Sequence, residues 1–417
     1  MKNVNKKWLA AALFFVAVMA AGLLFYIAPW QTPQNRPNIL FIYTDDLDMP
    51  LMEYMPITNR LIAEEGAVFT NSFVTSSMCC PSRASTLRGQ YPQNTGILEN
   101  APGFKQFYRD GSEKETLAVW LKRAGYQNSL LGKYLNLYPL GATPEYIPPG
   151  WHDWHVFVDE GKPYYFAYAM NENGAIVRQY KKPENYSTDV LNQRAQEFIR
   201  KTAASGEPFF IFLSVYAPHG PSMPAPRHWE LYTDLVYPKK PSFHEEDMTD
   251  KPSVIQDLRR TGGLFEVDEA DELFVRRVQC MQSVDEMVAD LVNLLQETGQ
   301  LDNTYIFFTS DNGFHIGEHM LPSGKMLPYE EDILIPLYVR GPGIAPGTVI
   351  PELTVNVDLA PTITELAGAK SARFIDGRSM VPLLFSPGQP VENWRQAFLI
   401  DSTERSRFYR VKCGLKT

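Results

Sequence analysis

Three short runs of unbroken apolar residues punctuate the chain: Ile39-Leu40-Phe41-Ile42-Tyr43, Phe209 through Val215, and Tyr305-Ile306-Phe307-Phe308-Thr309. Continuous rather than alternating apolar character predicts strands covered on both faces, as in a parallel sheet. Between the second and third runs, Phe274, Val278, Met281, Val284, Val288, Leu291 and Leu295 recur every three or four positions. That spacing predicts a long amphipathic helix, with Gly299 at its stop. Strand alternating with helix gives an α/β fold built on a large, mainly parallel sheet flanked by helices. The stretch from Pro238 to Glu269 is charged and aperiodic, and reads as a surface excursion placed to cover a site.

A different pattern opens the chain. Lys2, Lys6 and Lys7 precede an uncharged apolar run from Trp8 to Ala28. As a helix this run reaches about 31 Å, close to the hydrocarbon thickness of a bilayer. Residues 1–28 therefore read as a signal anchor or a cleaved signal peptide, the length favouring the anchor. Either reading puts the body outside the cytoplasm, membrane-anchored or secreted. Residues 29–37, rich in proline, read as a linker.

Composition narrows the class. The 417 residues carry 39 basic and 48 acidic side chains, a net charge of −9, with 44% hydrophobic and 21% charged residues. Such a chain has ample apolar material for a core, which excludes disorder and fibre. The acidic balance argues against a nucleic-acid partner. Four cysteines are too few for a disulfide scaffold, and the adjacent pair Cys79-Cys80 is poorly placed to bridge to itself.

Each apolar run ends in polar residues: Thr44-Asp45-Asp46, Ala217-Pro218-His219 and Ser310-Asp311-Asn312. In open α/β sheets ligands bind at the carboxyl ends of strands, so three such coincidences mark a site. Asp45-Asp46 and Asp311-Asn312 offer hard oxygen donors suited to Ca²⁺ or Mg²⁺ rather than zinc. Taken singly, each pair serves equally well as a helix cap or a turn.

The segment Ser77-Met78-Cys79-Cys80-Pro81-Ser82-Arg83-Ala84-Ser85-Thr86-Leu87-Arg88-Gly89 resembles the signature of the type I, formylglycine-dependent sulfatases of the alkaline phosphatase superfamily. In that family Cys-x-Pro-Ser-Arg marks a cysteine oxidised to Cα-formylglycine, and the register here selects Cys79. The resemblance runs from about Pro37 to Leu384 and implies an alkaline-phosphatase-like sulfatase fold. It implies that Asp45, Asp46, Cys79, Asp311 and Asn312 hold the cation, Ca²⁺ with Mg²⁺ as the alternative. Leu131-Gly132-Lys133 matches the family's Gly-Lys motif and Ala217-Pro218-His219 its Pro-His motif, while Lys325 aligns with a later sulfate-binding lysine. The implied catalytic set is Cys79, Arg83, Lys133, His219 and Lys325, of which Lys133, His219 and Lys325 also bind the sulfuryl group. The aldehyde at position 79 would act as a gem-diol that attacks sulfur, with Arg83 orienting it and His219 or Lys325 protonating the leaving oxygen. A formylglycine-generating maturation enzyme and a sulfated carbohydrate are the implied partners, with the membrane engaged through the N-terminal helix.

Many arylsulfatases place a histidine two residues beyond the Gly-Lys lysine, where this chain has Leu135. The run Gly132-Lys133-Tyr134-Leu135-Asn136 is similar instead to the N-acetylglucosamine-6-sulfatase branch, which includes extracellular heparan endosulfatases. That placement implies removal of sulfate from an amino sugar or glycosaminoglycan fragment. Of the other histidines, His315 and His319 are expected behind the cation, and His152, His155, His228 and His244 on loops or surface. Cys280 is expected buried in the long helix.

Residues 38–395 thus read as the catalytic domain and 396–417 as the stub of a small antiparallel C-terminal subdomain. Phe398 to Ile400 looks like its opening strand, and no partner strand is expected after it, so the subdomain reads as truncated. The alternatives are a phosphodiester or phosphonate monoester hydrolase of the same superfamily, and a non-catalytic membrane-anchored remnant. A redox or soft-metal role for Cys79-Cys80 fits poorly with oxygen-rich surroundings.

Overall fold

The computed structural model describes residues 36–253, 255–257, 267–371, 374–402 and 411–416. The apolar leader at 1–28 lies outside them. Among the described residues no helix is long and apolar enough to cross a membrane.

In chain order the strands are β1 (Asn38–Asp45), β2 (Ala67–Phe69), β3 (Ser72–Phe73), β4 (Gln127–Gly132), β5 (Asp153–Val158), β6 (Ala169–Glu172) and β7 (Ala175–Arg178). They continue with β8 (Phe209–Pro218), β9 (Thr304–Ser310), β10 (Leu337–Arg340), β11 (Thr348–Ile350), β12 (Thr354–Val355), β13 (Phe398–Ser402) and β14 (Val411–Lys416). Ten of them form one sheet in the order β11-β2-β10-β9-β1-β8-β4-β5-β6-β7. Its centre, β9-β1-β8-β4-β5, is parallel throughout, and antiparallel strands flank it.

The unbroken apolar runs have the reason expected of them. Leu40 and Ile42 of β1, with Ile211, Leu213, Ile306 and Phe308, pack beneath the helices Ser187–Ser205 and Val267–Glu297. Ile39, Phe41 and Tyr43, with Phe210, Phe212 and Phe307, enter a second cluster with Leu87, Leu117, Leu121, Leu359 and Ile363. Side chains alternate across the sheet, and both faces are covered because both parities are apolar. Gly299 closes the Val267–Glu297 helix in the left-handed region, at φ 68°.

Two expectations change here. Phe398–Ile400 does not stand without a partner: β13 pairs antiparallel with β14, Leu399 opposite Leu415. Phe398 and Ile400 are buried against Phe73, Val74, Ile333 and Val355, so apolar burial and strand pairing secure the segment together. The described part of the charged excursion is not a free surface loop either. Phe243 bridges to Glu318, and Met248 and Ile255 pack with Leu321 and Leu327.

Two histidines expected on loops or surface are structural. His228 is buried against Glu286, its Nε2 at 2.9 Å. His155 lies within β5, between Asp153 at 3.2 Å and Glu172 at 3.6 Å. Burial alone would lower its pKa, but the two carboxylates outweigh that and raise it to about 9. A histidine raised above its unfolded value of 6.5 stabilises the fold fully below that value, and the gain is lost as pH rises through about 9. Urea unfolding is therefore expected to show stability falling by about 1–3 kcal/mol across that window. His155→Gln should flatten the decline, and a flat wild-type profile would remove this ion cluster from the stability account.

Candidate active site

The parallel register builds the site. Thr44 of β1 lies opposite Ser310 of β9, Tyr43 opposite Ser214 of β8, and Ser214 opposite Gly132 of β4. The residues that follow, Asp45-Asp46, Asp311-Asn312 and Lys133, therefore emerge at one level on the carboxyl edge. The chain turns sharply there: Asp46 has φ 68°, a left-handed conformation unusual for a residue with a Cβ. Hydrogen bonds hold it, from Asp46 N to Asp311 Oδ1 at 3.1 Å and from Leu47 N to Ser310 Oγ at 2.9 Å. Gly132 is required by close approach, since a Cβ there would sit 2.0 Å from the Ser214 carbonyl oxygen.

Cys79 begins the helix Cys79–Arg88, whose first turn opens into the same space. Its Sγ lies 3.5 Å from Asp45 Oδ1, and Lys325 Nζ donates to it at 2.8 Å. Burial pushes the thiol up to about 12, more than Lys133 and Lys325 pull it down. As a cysteine, position 79 is thus a protonated, weak nucleophile. Cys80 points away into the apolar cluster beneath the sheet.

Lys133 Nζ bonds Asp45, and Lys325 Nζ bonds Asp46 Oδ1. Burial would raise the Asp45 carboxyl, but Lys133, His219 and Arg83 hold it down at about 2. Asp46 is lowered likewise, against its burial, by Lys325 and His219. Arg83 is buried and spends its fork on the frame: Nε donates to Asp311 Oδ2 at 2.8 Å, and Nη1 to Ser214 Oγ at 2.6 Å and the Lys133 carbonyl at 3.0 Å. Its Nη2 lies 3.6 Å from Asp45. No hydrogen bond joins Arg83 to Cys79 among the described residues, so its reach is to the groups around position 79. His219 Nδ1 donates to the Gly220 carbonyl at 2.8 Å, which turns Nε2 toward Asp46 Oδ2 at 3.7 Å.

Asp45, Asp46, Cys79 and His219 offer donor atoms within 4.8 Å of one another. The two carboxylates, with Asn312 beside them, are the donors suited to a hard cation, and one atom points to it directly. Asn312 gives its amide N–H to Asp46 Oδ1 at 2.7 Å, while its Oδ1 is buried without a partner. A buried acceptor left unpaired is costly, and a cation beside it would remove that cost.

All the site residues expected from the sequence converge, and His219 joins the potential ligand cluster. The two histidines expected behind the cation do not. His315 bonds Asp332 through Nδ1 at 2.6 Å and the Pro322 carbonyl through Nε2 at 2.9 Å. It braces the loop that carries Lys325, because Asp332 also accepts from Leu327 N. His319 turns to Glu245 at 2.6 Å.

Three supporting residues lie outside the expected set. Ser214 is a polar break inside an apolar run. Asn356 takes the Thr75 N–H and donates to Ser82, fastening the start of the Cys79 helix. Arg277, fully buried, donates to the Asp46 carbonyl at 2.7 Å and to Asp48. The second of two adjacent arginines, Arg276-Arg277, falls three residues after Phe274 on the apolar stripe, and that was the available signal.

Beside Lys133 and His219 opens a pocket of ≈ 310 Å³, lined also by Asn136, Asp159, Lys162, Tyr164 and Tyr216. Leu135, at the position where many arylsulfatases carry a histidine, is buried in the apolar cluster.

Comparison with known proteins shows the family. A family model described as Sulfatase matches residues 37–369. The N-acetylglucosamine-6-sulfatase of Homo sapiens is 36% identical over 380 residues, covering 88% of this chain and 67% of its own. The putative extracellular sulfatase Sulf-1 homolog of Caenorhabditis elegans is 36% identical, covering 94% and 56%. The extracellular sulfatase SULF-1 homolog of Drosophila melanogaster is also 36% identical, with 33% of its length matched. The chain thus spans about one to two thirds of these relatives. A solved complex with the substrate D-glucosamine-2-N,6-O-disulfate superposes with TM-score 0.77 at 27% identity, covering 92% of this chain and 87% of that one. The phosphonate monoester hydrolase of Silicibacter pomeroyi shares the fold at TM-score 0.70 and 24% identity.

Proposed function

This chain belongs to the sulfatase family, and from that premise we propose that it hydrolyses sulfate esters of an amino sugar or glycosaminoglycan fragment outside the cytoplasm. The observation that carries the reading is the convergence of Cys79, Lys133, Lys325 and His219 on one space beside a pocket able to take a single sugar ring. The named substrate of the superposed complex, a 6-O-sulfated glucosamine, supports the class of sugar.

Asp45, Asp46 and Asp311 bring three negative charges, and Arg83, Lys133 and Lys325 three positive ones. Side chains alone thus cancel, and a divalent cation makes the site net positive, as an anionic ester requires. We assign Asp45, Asp46, Asp311 and Asn312, with the converted Cys79, as its holders, and Ca²⁺ or Mg²⁺ both suit their oxygens. When present, formylglycine at position 79 supplies a hydrated aldehyde as nucleophile, and the cation lowers its pKa and polarises a sulfate oxygen. The chain's own residues do the rest. Lys133 and Lys325 offset charge on the sulfuryl oxygens, Arg83 fixes the carboxylates, and His219 or Lys325 gives the leaving sugar oxygen its proton. The leader would tether the enzyme or be cleaved on export.

Sulfate release from glucosamine 6-sulfate by protein matured in its native host tests the proposal. Preference for an aryl phosphate or phosphonate ester at saturating metal would reverse it in favour of the related hydrolases. The metal assignment has a readout besides turnover. Ca²⁺ added to metal-depleted protein is expected to raise the melting temperature, since ligand at one hundred times Kd adds about 2.7 kcal/mol. Asn312→Ala should abolish most of that rise. An undiminished rise would remove Asn312 from the donor set.

A further inference from the structure

A second, larger groove of ≈ 700 Å³ lies next to the site pocket, and nothing in the hydrolysis chemistry uses it. Two chain segments run from one to the other. Tyr164 and His219 line the site pocket, while Phe166 and the Pro221–Pro224 turn line the groove. Tyr165 ties the segments together, its hydroxyl donating to the His219 carbonyl at 2.7 Å. Two residues of chain cover at most about 7 Å, so the spaces are near neighbours on the scale of linked sugar rings.

The floor is largely apolar, with Phe166, Met223 and four prolines, and an aromatic face and cations at its rim complement an anionic carbohydrate. Trp229 is 58% exposed, yet its indole N–H is fixed to the Pro224 carbonyl at 3.0 Å, giving a rigid aromatic face. Gln279 secures the same turn through the Trp229 carbonyl at 2.9 Å. Cations rim the groove. Lys181 has no carboxylate in ion-pair range among the described residues, and Lys182 reaches only Glu184, at 3.8 Å. Arg276 pairs with Glu272 but leaves its buried Nε unpartnered. An aromatic platform supplies apolar contact to a sugar face, and the lysines attract sulfate or carboxylate groups.

We infer that this groove is a second subsite, holding the sugar residues adjacent to the one being desulfated, so that the preferred substrate is a sulfated oligosaccharide rather than a monosaccharide. The inference rests on the sulfatase reading for its substrate class. The matured full chain is compared on glucosamine 6-sulfate and on a heparin-type tetrasaccharide, as wild type, Trp229→Ala and Lys181→Ala/Lys182→Ala. KM for the tetrasaccharide is expected to rise about tenfold in each variant, as for loss of an interfacial anchor, while KM for the monosaccharide stays put. Equal KM shifts on both substrates, or none, overturn the subsite. Tetrasaccharide binding to full-length Cys79→Ala protein by calorimetry separates the two readings. If wild type turns over neither substrate but the tetrasaccharide binds, and the lysine substitutions weaken binding, the groove stands and the sulfatase reading falls. If glucosamine 6-sulfate is hydrolysed but the tetrasaccharide fails to bind, or binds regardless of the lysines, the groove falls alone.

Discussion

Cys79→Ala is expected to reduce turnover by on the order of 10⁴-fold or more, while Cys80→Ala keeps most of it. Loss of a nucleophile costs factors of that size because the remaining groups have nothing to deliver. The two sulfurs are neighbours in sequence and opposites in surroundings. Cys79 Sγ sits among Asp45, Lys325 and Lys133, whereas Cys80 is packed with Ala84 and Leu87 in the apolar layer. Removing the Cys80 sulfur leaves a small void worth about 1–2 kcal/mol of stability, without touching the polar cluster. Mass spectrometry of the peptide containing position 79 supplies the matching readout. Protein exported by its native host should carry an aldehyde there in place of the thiol. An unmodified thiol in exported protein, or equal loss from both alanine variants, would show that position 79 is not the reacting residue. The buried thiol strengthens the argument: with its pKa pushed up to about 12, an unconverted cysteine offers almost no thiolate at neutral pH.

Most of the converging cluster was legible because its members close apolar runs or belong to compact motifs, whereas Lys325 does neither and was reached through the family resemblance alone. Asp45 ends, and His219 and Asp311 directly follow, strands whose two-sided burial shows in the sequence, and parallel register does the rest. Residues that position others were harder to see. Arg277 and Asn356 act through contacts across 231 and 281 positions of chain, so no local spacing reveals them. His155 and His228 illustrate the converse. Their types and neighbours suit an exposed loop, and only the approach of Glu172 and Glu286 from separate elements gives them carboxylate partners within the fold. The partner for β13 was missed because Val411–Lys416 carries lysines and a glycine, which weaken an alternating strand pattern without preventing backbone pairing.

Arg83→Lys separates charge from geometry, and we expect it to lower kcat by about 10²- to 10³-fold and stability by about 2–4 kcal/mol. The substitution keeps a positive charge in the same buried space, so a purely electrostatic role predicts little change. The guanidinium, however, makes three directed hydrogen bonds, to Asp311, Ser214 and the Lys133 carbonyl, from one rigid plane. An ammonium on a flexible stem cannot hold all three at those angles. Whichever acceptor it leaves becomes a buried polar group without a donor, in a site where Asp45, Ser214 and Asp311 are fully enclosed. Arg83→Met removes the charge as well and strands Asp311, at an expected cost of about 3–5 kcal/mol, so the lysine variant is the informative one for turnover. Thermal unfolding and kcat measured on the same preparation separate the effects. A lysine variant that melts lower but turns over normally would confine Arg83 to the scaffold. Loss of kcat in protein that remains folded would instead show that the angle at which Asp311 and Lys133 are held, and not merely the sign of the nearby charge, sets the rate.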